Sequence, residues 1–252
     1  MSHHKLEVRN LHFEYPDGQV AIKDMSFTIH HGESVGIIGA NGAGKSTLLM
    51  LIMGVLFPKA GEVLVGDVHV TKKTLPMIRQ RLGMVFQNPD DQLFMTTVYD
   101  DVAFGPRNYK LDEKEVENRV KEALELVGIP HLKDRAPYKL SGGEKRSAAI
   151  ATVLSMQPDV LIMDEPTSAL DPKSRRRVIN LLNSFEHTKI ITSHDLDMVF
   201  ETCKRIIIIN EGMVAADGTA AEILLNSDLL IRSGLEMPLS LQNCPACGSP
   251  KA

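Results

Sequence analysis

Gly36-Ile37-Ile38-Gly39-Ala40-Asn41-Gly42-Ala43-Gly44-Lys45-Ser46-Thr47 is the stretch on which the fold turns. It contains G-x-x-x-x-G-K-S, with Gly39, Gly44, Lys45 and Ser46 in the fixed positions. Val35 to Ile38 before it reads as a buried strand, and Thr47 to Met53 after it, free of Pro and Gly, reads as the opening turns of a helix. Strand, glycine loop and helix in that order turn a string match into a phosphate cradle. The glycines let successive backbone N–H groups point inward around a di- or triphosphate. The helix N-terminus adds partial positive charge in the same direction. Lys45 then reaches the β- and γ-phosphates, and the Ser46 hydroxyl ligates Mg²⁺. The pattern predicts a nucleotide-binding loop.

Composition bounds the rest. At 252 residues, with 43% hydrophobic and 24% charged, the chain suits one large α/β domain or a domain with a subdomain. A net charge of -4 gives no hint of a nucleic-acid or anionic-membrane surface. The longest apolar run, Ile206 to Ile209, is a strand core and far short of a membrane span. Met1 to Glu7 lacks the apolar core of a signal peptide. Three cysteines, Cys203, Cys244 and Cys247, do not make a disulfide scaffold. Together these predict a cytoplasmic chain, peripheral on the inner face of the membrane if it acts there, with any membrane role coming through a partner.

Taken in order, Leu6 to Tyr15 alternates like a half-buried strand and Pro16-Asp17-Gly18 turns the chain. Met25, Phe27 and Ile29 share one face of a second strand. After the glycine loop, Gly54 and Pro58 end the helix, Glu62 to Val70 reads as a hairpin around Gly66-Asp67, and Leu75 to Arg81 as a short helix. Leu82 to Phe86 is another buried strand, ending in Gln87. From Asn88 the texture changes: Asn88-Pro89-Asp90-Asp91-Gln92-Leu93-Phe94 reads as a polar loop with apolar residues at its far end. Asp112 to Val127 is a helix with Val116, Val120, Ala123, Leu124 and Val127 on one face, an Asp112/Glu115 pair resembling a capping box, and Gly128 as its stop. A further helix runs from about Gly143 to Met156. Asn88 to Gln157 is thus a helical insertion between two stretches of α/β pattern.

That pattern resumes at Val160-Leu161-Ile162-Met163-Asp164-Glu165, a buried parallel strand with two acids at its C-terminal end, where ligands bind in open α/β sheets. Asp164 would hold Mg²⁺ through water, and Glu165 would orient and activate the attacking water. A helix follows Pro172, and Lys189 to Thr192 is a strand that ends at Ser193-His194, from which His194 can reach the γ-phosphate. Ile206 to Ile209 and Met213 to Ala215 form a terminal hairpin, and Thr219 with Glu222 caps a last helix.

Leu140-Ser141-Gly142-Gly143-Glu144-Lys145-Arg146 is a second glycine motif, opening the helix that leads to Asp164. Taken with the phosphate loop, it resembles the signature sequence of ATP-binding cassette (ABC) ATPases, and the resemblance covers the chain to about residue 240 in the family's motif order. It implies a P-loop NTPase core of mainly parallel sheet (1–87 and 158–240), an antiparallel N-terminal β subdomain, an inserted helical subdomain (88–157) and a tail (241–252). It implies ATP and Mg²⁺ as cofactors, with Gly39, Ala40, Asn41, Gly42, Ala43, Gly44, Lys45, Ser46 and Thr47 around the phosphates. Tyr15 matches the aromatic that stacks on adenine, and Gln87 the glutamine loop, which touches Mg²⁺ and water. Asp164 matches the metal-binding carboxylate, Glu165 the catalytic one and His194 the switch histidine. Ser168-Ala169-Leu170-Asp171 matches the dimer-contact loop. In the family two cassettes sandwich two ATP molecules head to tail, so Ser141, Gly142 and Gly143 would complete the site of the partner protomer.

Asn88 to Phe94, followed by Thr97-Val98-Tyr99-Asp100-Asp101-Val102-Ala103-Phe104-Gly105-Pro106, resembles the energy-coupling-factor branch. That implies an importer of cobalt, nickel or a vitamin, with an integral membrane coupling subunit and a substrate-binding membrane subunit as partners. Leu93, Phe94, Val98 and Phe104 are then candidate exposed anchors for a coupling helix. A second cassette, identical or similar, is the other partner, and no nucleic acid is implied. Rival readings are another ABC transporter motor, an exporter among them, and a soluble ABC ATPase of nucleic acid or ribosomes. Against the soluble ATPase stand the short insertion and the lack of a basic stripe. A nucleotide switch without turnover conflicts with the intact Glu165 and His194. The tail, Cys244-Pro245-Ala246-Cys247-Gly248, is one half of a metal knuckle. It reads either as two reduced thiols or, with a second protomer, as a zinc site.

Overall fold

Pro16-Asp17-Gly18 reverses the chain as its composition predicts: Gly18 N donates to the Tyr15 carbonyl and Tyr15 N to that of Gln19, so Leu6–Glu14 (β1) and Val20–Ile29 (β2) pair antiparallel. Ser34–Ile38 (β3), every residue buried, leads into Lys45–Ile52 (α1). Ala60–Val65 (β4) and Val68–His69 (β5) complete an antiparallel sheet of order β2-β1-β4-β5. Its buried face carries Leu6, Val8 and Leu11 of β1 with Met25, Phe27 and Ile29 of β2. This computed structural model describes residues 5–242, and the Cys244 and Cys247 motif lies outside them.

Leu75–Arg81 (α2) is followed by Leu82–Val85 (β6), Val98–Asn108 (α3), Glu113–Leu126 (α4), Gly142–Leu154 (α5), Val160–Asp164 (β7) and Pro172–Ser184 (α6). β6 and β7 pair parallel, and α3, α4 and α5 pack on one another. Val116, Val120, Ala123 and Leu124 form the buried stripe of α4. Asp112 caps it by accepting from Glu115 N, without the return bond of a full capping box. Sequence pattern alone does not predict α3, because Gly105-Pro106 looks like a helix stop. Thr97 caps it instead, and Pro106 sits inside its last turn. A proline there leaves the carbonyl four residues back without its N–H partner. That carbonyl belongs to Val102, and the buried Ser155 hydroxyl at the end of α5 donates to it at 2.9 Å. α3 also corrects the candidate anchors: Leu93 and Val98 are buried, at 8% and 0% exposure, while Phe94 and Phe104 remain exposed.

Thr188–Thr192 (β8), Leu196–Thr202 (α7), Arg205–Asn210 (β9), Met213–Thr219 (β10), Ala220–Leu224 (α8) and Ser227–Arg232 (α9) end the described chain. The predicted hairpin is β9 and β10, and Thr219 with Glu222 makes a complete capping box on α8. The sequence pattern does not anticipate α7 and α9, so the helix capped by Thr219 is not the last. The strands run β10-β9-β3-β8, with β9 and β8 parallel to β3 on either side. Ile206 to Ile209 are fully buried, each residue contributing about 1.5–3 kcal/mol of burial. The chain divides into two compact units, Met1–Ile78 with His187–Ala252, and Arg79–Glu186.

Candidate nucleotide site

The first unit carries the phosphate loop at the C-terminal end of β3. Gly39 stands where a Cβ would lie 2.2 Å from the Ile209 carbonyl oxygen of β9, so only glycine fits. Gly44, with φ 107°, is the N-cap of α1 and supplies no side chain there. Lys45 folds back over the loop, its Nζ donating to the carbonyls of Gly39 at 2.8 Å and Ala40 at 3.1 Å. Ala43 N donates to the Ala40 carbonyl, and Gly212 N to that of Ala43, which fixes the loop from outside. Asn41, Gly42 and Ser46 are exposed. Thr47 is buried with its Oγ1 2.9 Å from the Tyr15 hydroxyl, and Tyr15 is packed edge-on to Phe13. The turn after β1 thereby sets an aromatic ring beside the phosphate loop. Thr192 of β8 is registered with Ile37 of β3, so exposed His194 follows the end of the neighbouring parallel strand.

The second unit carries the acids. Val85 and Met163 are registered across β6 and β7, which puts Gln87 and the Asp164-Glu165 pair at adjacent strand ends. Asp164 and Glu165 are buried at 8% and 9% exposure, and Gln87 is exposed. Glu165 takes φ 48°, a left-handed conformation that costs a non-glycine residue on the order of 1–3 kcal/mol. Such strain persists only where the surroundings hold it, and it gathers at functional positions.

Ser141 caps α5 through a complete capping box: its N–H and Oγ both donate to Glu144 Oε2 at 2.8 Å, and Glu144 N donates to Ser141 Oγ. The Ser141 amide first, then its hydroxyl, holds the Glu144 carboxyl below its ordinary value. A Cβ on Gly143 would lie 2.2 Å from Ser174 Oγ. Ser174 in turn donates to Asp171, the cap of α6, whose carboxylate also accepts from Lys173 N and Ser174 N. The signature glycine thus packs against the first turn of α6, and the Asp171 carboxylate is occupied by capping that turn.

Sequence reasoning missed two residues. Arg146, 2% exposed, donates from Nη1 to the Phe86 carbonyl at 2.6 Å and from Nη2 to the Gln87 carbonyl. Gln92 accepts from Phe86 N and donates to the Ala149 carbonyl and Thr152 Oγ1. The available signal was an arginine opening the uncharged run Ser147-Ala148-Ala149-Ile150, which the structure buries throughout. A cation on such a face must have a buried partner.

Among the described residues no cluster of three or more His, Cys, Asp or Glu stands ready to hold a metal. The oxygen donors of Gln87 and Asp164 in the second unit and, separately, the Ser46 hydroxyl in the first are of the kind that suits Mg²⁺, a hard cation that takes one or two carboxylates and completes its shell with water and phosphate.

The ABC transporter family pattern matches residues 22–168. A putative ABC transporter ATP-binding protein of Geobacter sulfurreducens is 60% identical over 248 residues, 98% of this chain and 100% of that protein. The energy-coupling factor transporter ATP-binding protein EcfA of Methanothermobacter thermautotrophicus is 45% identical over 238 residues, 92% of this chain and 76% of that protein. Among solved structures, cbiO1 from Clostridium perfringens, part of the ABC transporter complex cbiONQ, superposes with a TM-score of 0.81 at 39% identity, covering 91% of this chain and 94% of that one. A dimeric ATP-binding cassette in a post-hydrolysis state, bound to ADP and Pi, superposes with a TM-score of 0.77 at 27% identity, covering 85% and 98%. The phosphate loop, the paired acids and the capped signature helix thus sit on the fold of these proteins, and the chain belongs to the ATP-binding subunits of ABC transporters, cassettes that hydrolyse ATP.

Proposed function

We propose that this chain is the motor of an energy-coupling-factor type importer for cobalt, nickel or a vitamin, peripheral on the inner face of the membrane. The observation that carries the reading is the segment between Gln87 and Pro106. Asp90 pairs with Lys145 at 2.6 Å and Gln92 bonds α5, so the segment is tied to the signature helix. It nevertheless leaves Phe94 63% and Phe104 38% exposed, rings perpendicular with centroids 4.9 Å apart. An exposed aromatic pair on a segment anchored to ATP-handling elements suits a helix of the membrane coupling subunit, which a few apolar anchors would hold. The likeness to EcfA and to cbiO1 points the same way.

In this reading residues 1–240 are the ATPase domain, with 88–157 as its helical insertion and 241–252 as a tail. Tyr15 stacks on adenine, residues 39–47 hold the phosphates, and Ser46, Gln87 and Asp164 hold Mg²⁺, which neutralises charge on the phosphates. Glu165 accepts a proton from the attacking water, and His194 contacts the γ-phosphate. Ser141, Gly142 and Gly143, with the loop ending at Asp171, serve the ATP of a second cassette, which an identical copy can be. The test is a paired measurement on Phe94→Ala: soluble ATPase activity, and co-purification with the membrane subunits. Near-normal ATPase with lost association is expected. Intact association and uptake would move coupling to another surface.

A further inference from the structure

The carbonyls of Phe86 and Gln87 lie where β6 ends and the glutamine loop begins, and both are held by one side chain, Arg146 of the signature helix. Gln92 takes the Phe86 amide from the other side and returns to α5 through Ala149 and Thr152. A planar guanidinium suits this task because its fork meets two acceptors at once and fixes their orientation. Arg146 is not there for surface charge: it is 2% exposed, and its buried Nε has no hydrogen-bond partner. Burial pulls the guanidinium down from its ordinary value, and the Asp164 carboxylate pushes it back up. An unsatisfied buried donor is destabilising, so apolar side chains would fill this position more cheaply if packing were all it did.

We infer that Arg146 is the positioning residue of the glutamine loop: by gripping the Phe86 and Gln87 carbonyls it fixes where the Gln87 side chain stands and makes the signature helix and the loop move as one body. Any displacement of Ser141 to Gly143 on dimer closure is then transmitted to Gln87 without slack. The inference rests on the proposed place of Gln87 beside metal and water, and the experiment separates the two.

Arg146→Met keeps length and burial while removing both donors. Its ATPase activity is compared with wild type, with Gln87→Ala and with the double variant, at several Mg²⁺ concentrations. We expect nucleotide affinity within about twofold of wild type and kcat lower by roughly 10- to 100-fold, the scale of a misplaced catalytic group. We also expect a higher Mg²⁺ requirement, and no further loss when Arg146→Met is added to Gln87→Ala. Equal fold losses in both backgrounds, or an unchanged kcat, would overturn the inference.

The chain has no tryptophan, so Phe86→Trp, at a position 41% exposed, reports on the grip without nucleotide or turnover. Its emission anisotropy should fall in the Arg146→Met background, and an unchanged value refutes the grip. If Gln87→Ala alone leaves kcat and Mg²⁺ dependence intact, the reading of Gln87 fails while the anisotropy still decides the grip. Should Arg146→Met not fold, Arg146→Lys, which keeps a buried cation but lacks the planar fork that meets both carbonyls, is carried through the same cycle and anisotropy measurement. A fall in anisotropy then supports the grip, and an unchanged value refutes it.

Discussion

Gly143→Ala is a small perturbation with a sign that the structure decides. Gly143 lies in the first turn of α5 at an ordinary negative φ, so alanine meets no backbone strain there and by helix propensity would stabilise by up to about 1 kcal/mol. The new Cβ, however, would stand 2.2 Å from Ser174 Oγ and 2.8 Å from Ser174 Cβ, inside any real contact. Relief requires Ser174 to move, and Ser174 Oγ is the donor to Asp171 Oδ2 at 2.6 Å that helps cap α6. Contacts this short belong to the upper part of the usual overpacking cost, about 2–3 kcal/mol, which against a propensity gain of about 1 kcal/mol leaves a net loss of about 1–2 kcal/mol. For a chain of this size that is a fall in Tm of about 2–8 °C. Because the displaced Ser174 bonds Asp171, where the dimer-contact loop ends, ATPase activity should fall more than stability does. Ser174→Gly removes both clashing atoms, so Gly143→Ala/Ser174→Gly should recover activity relative to Gly143→Ala alone. Thermal unfolding and steady-state hydrolysis on the four proteins decide it. A silent Gly143→Ala, or a double variant no better than the single, would show that Gly143 and Ser174 are not packed as described.

Glu165→Gln keeps size but removes the carboxylate, so ATP binding should persist while hydrolysis falls by roughly 10²-fold or more, and an ATP-closed dimer should accumulate in size-exclusion runs; wild-type turnover would remove Glu165 from the mechanism. Lys45→Ala should weaken nucleotide binding, whereas Ser141→Arg should spare it and block closure at a cost of about 1 kcal/mol for the lost cap. A mixture of the two variants can form a dimer with one native site and should regain hydrolysis; no recovery would argue against a site shared between protomers. The Glu144 and Glu222 carboxyls are both held below their ordinary value, Glu144 by the Ser141 amide first and Glu222 by the Thr219 hydroxyl first. Their stabilisation is therefore complete above the unfolded-state pKa and lost as pH falls through the depressed folded value. Glu144→Gln/Glu222→Gln, which keeps the capping geometry, should flatten the acid loss of stability between about pH 5 and pH 3 in denaturant titrations; an unchanged slope would contradict the shifts.

What the sequence determined by itself was local. The phosphate loop was legible because its glycines answer demands that neighbouring backbone makes, as the close approach of Gly39 to Ile209 shows. Strands β3, β7 and β9 were legible as continuous apolar runs, and the caps at Asp112 and Thr219 because each cap and its partner lie three residues apart. Tertiary structure alone decided what depends on residues far apart in the chain. Helix α3 survives Pro106 because Ser155, 53 residues after Val102, takes the carbonyl that the proline leaves without a partner. Leu93 and Val98 are buried, which the polar loop around them could not foretell. The left-handed Glu165 and the grip of Arg146 on carbonyls 60 and 59 residues earlier leave no periodic trace either. A side chain's periodicity reports which face it occupies, whereas its hydrogen-bond partner is chosen by whichever distant segment the fold brings there.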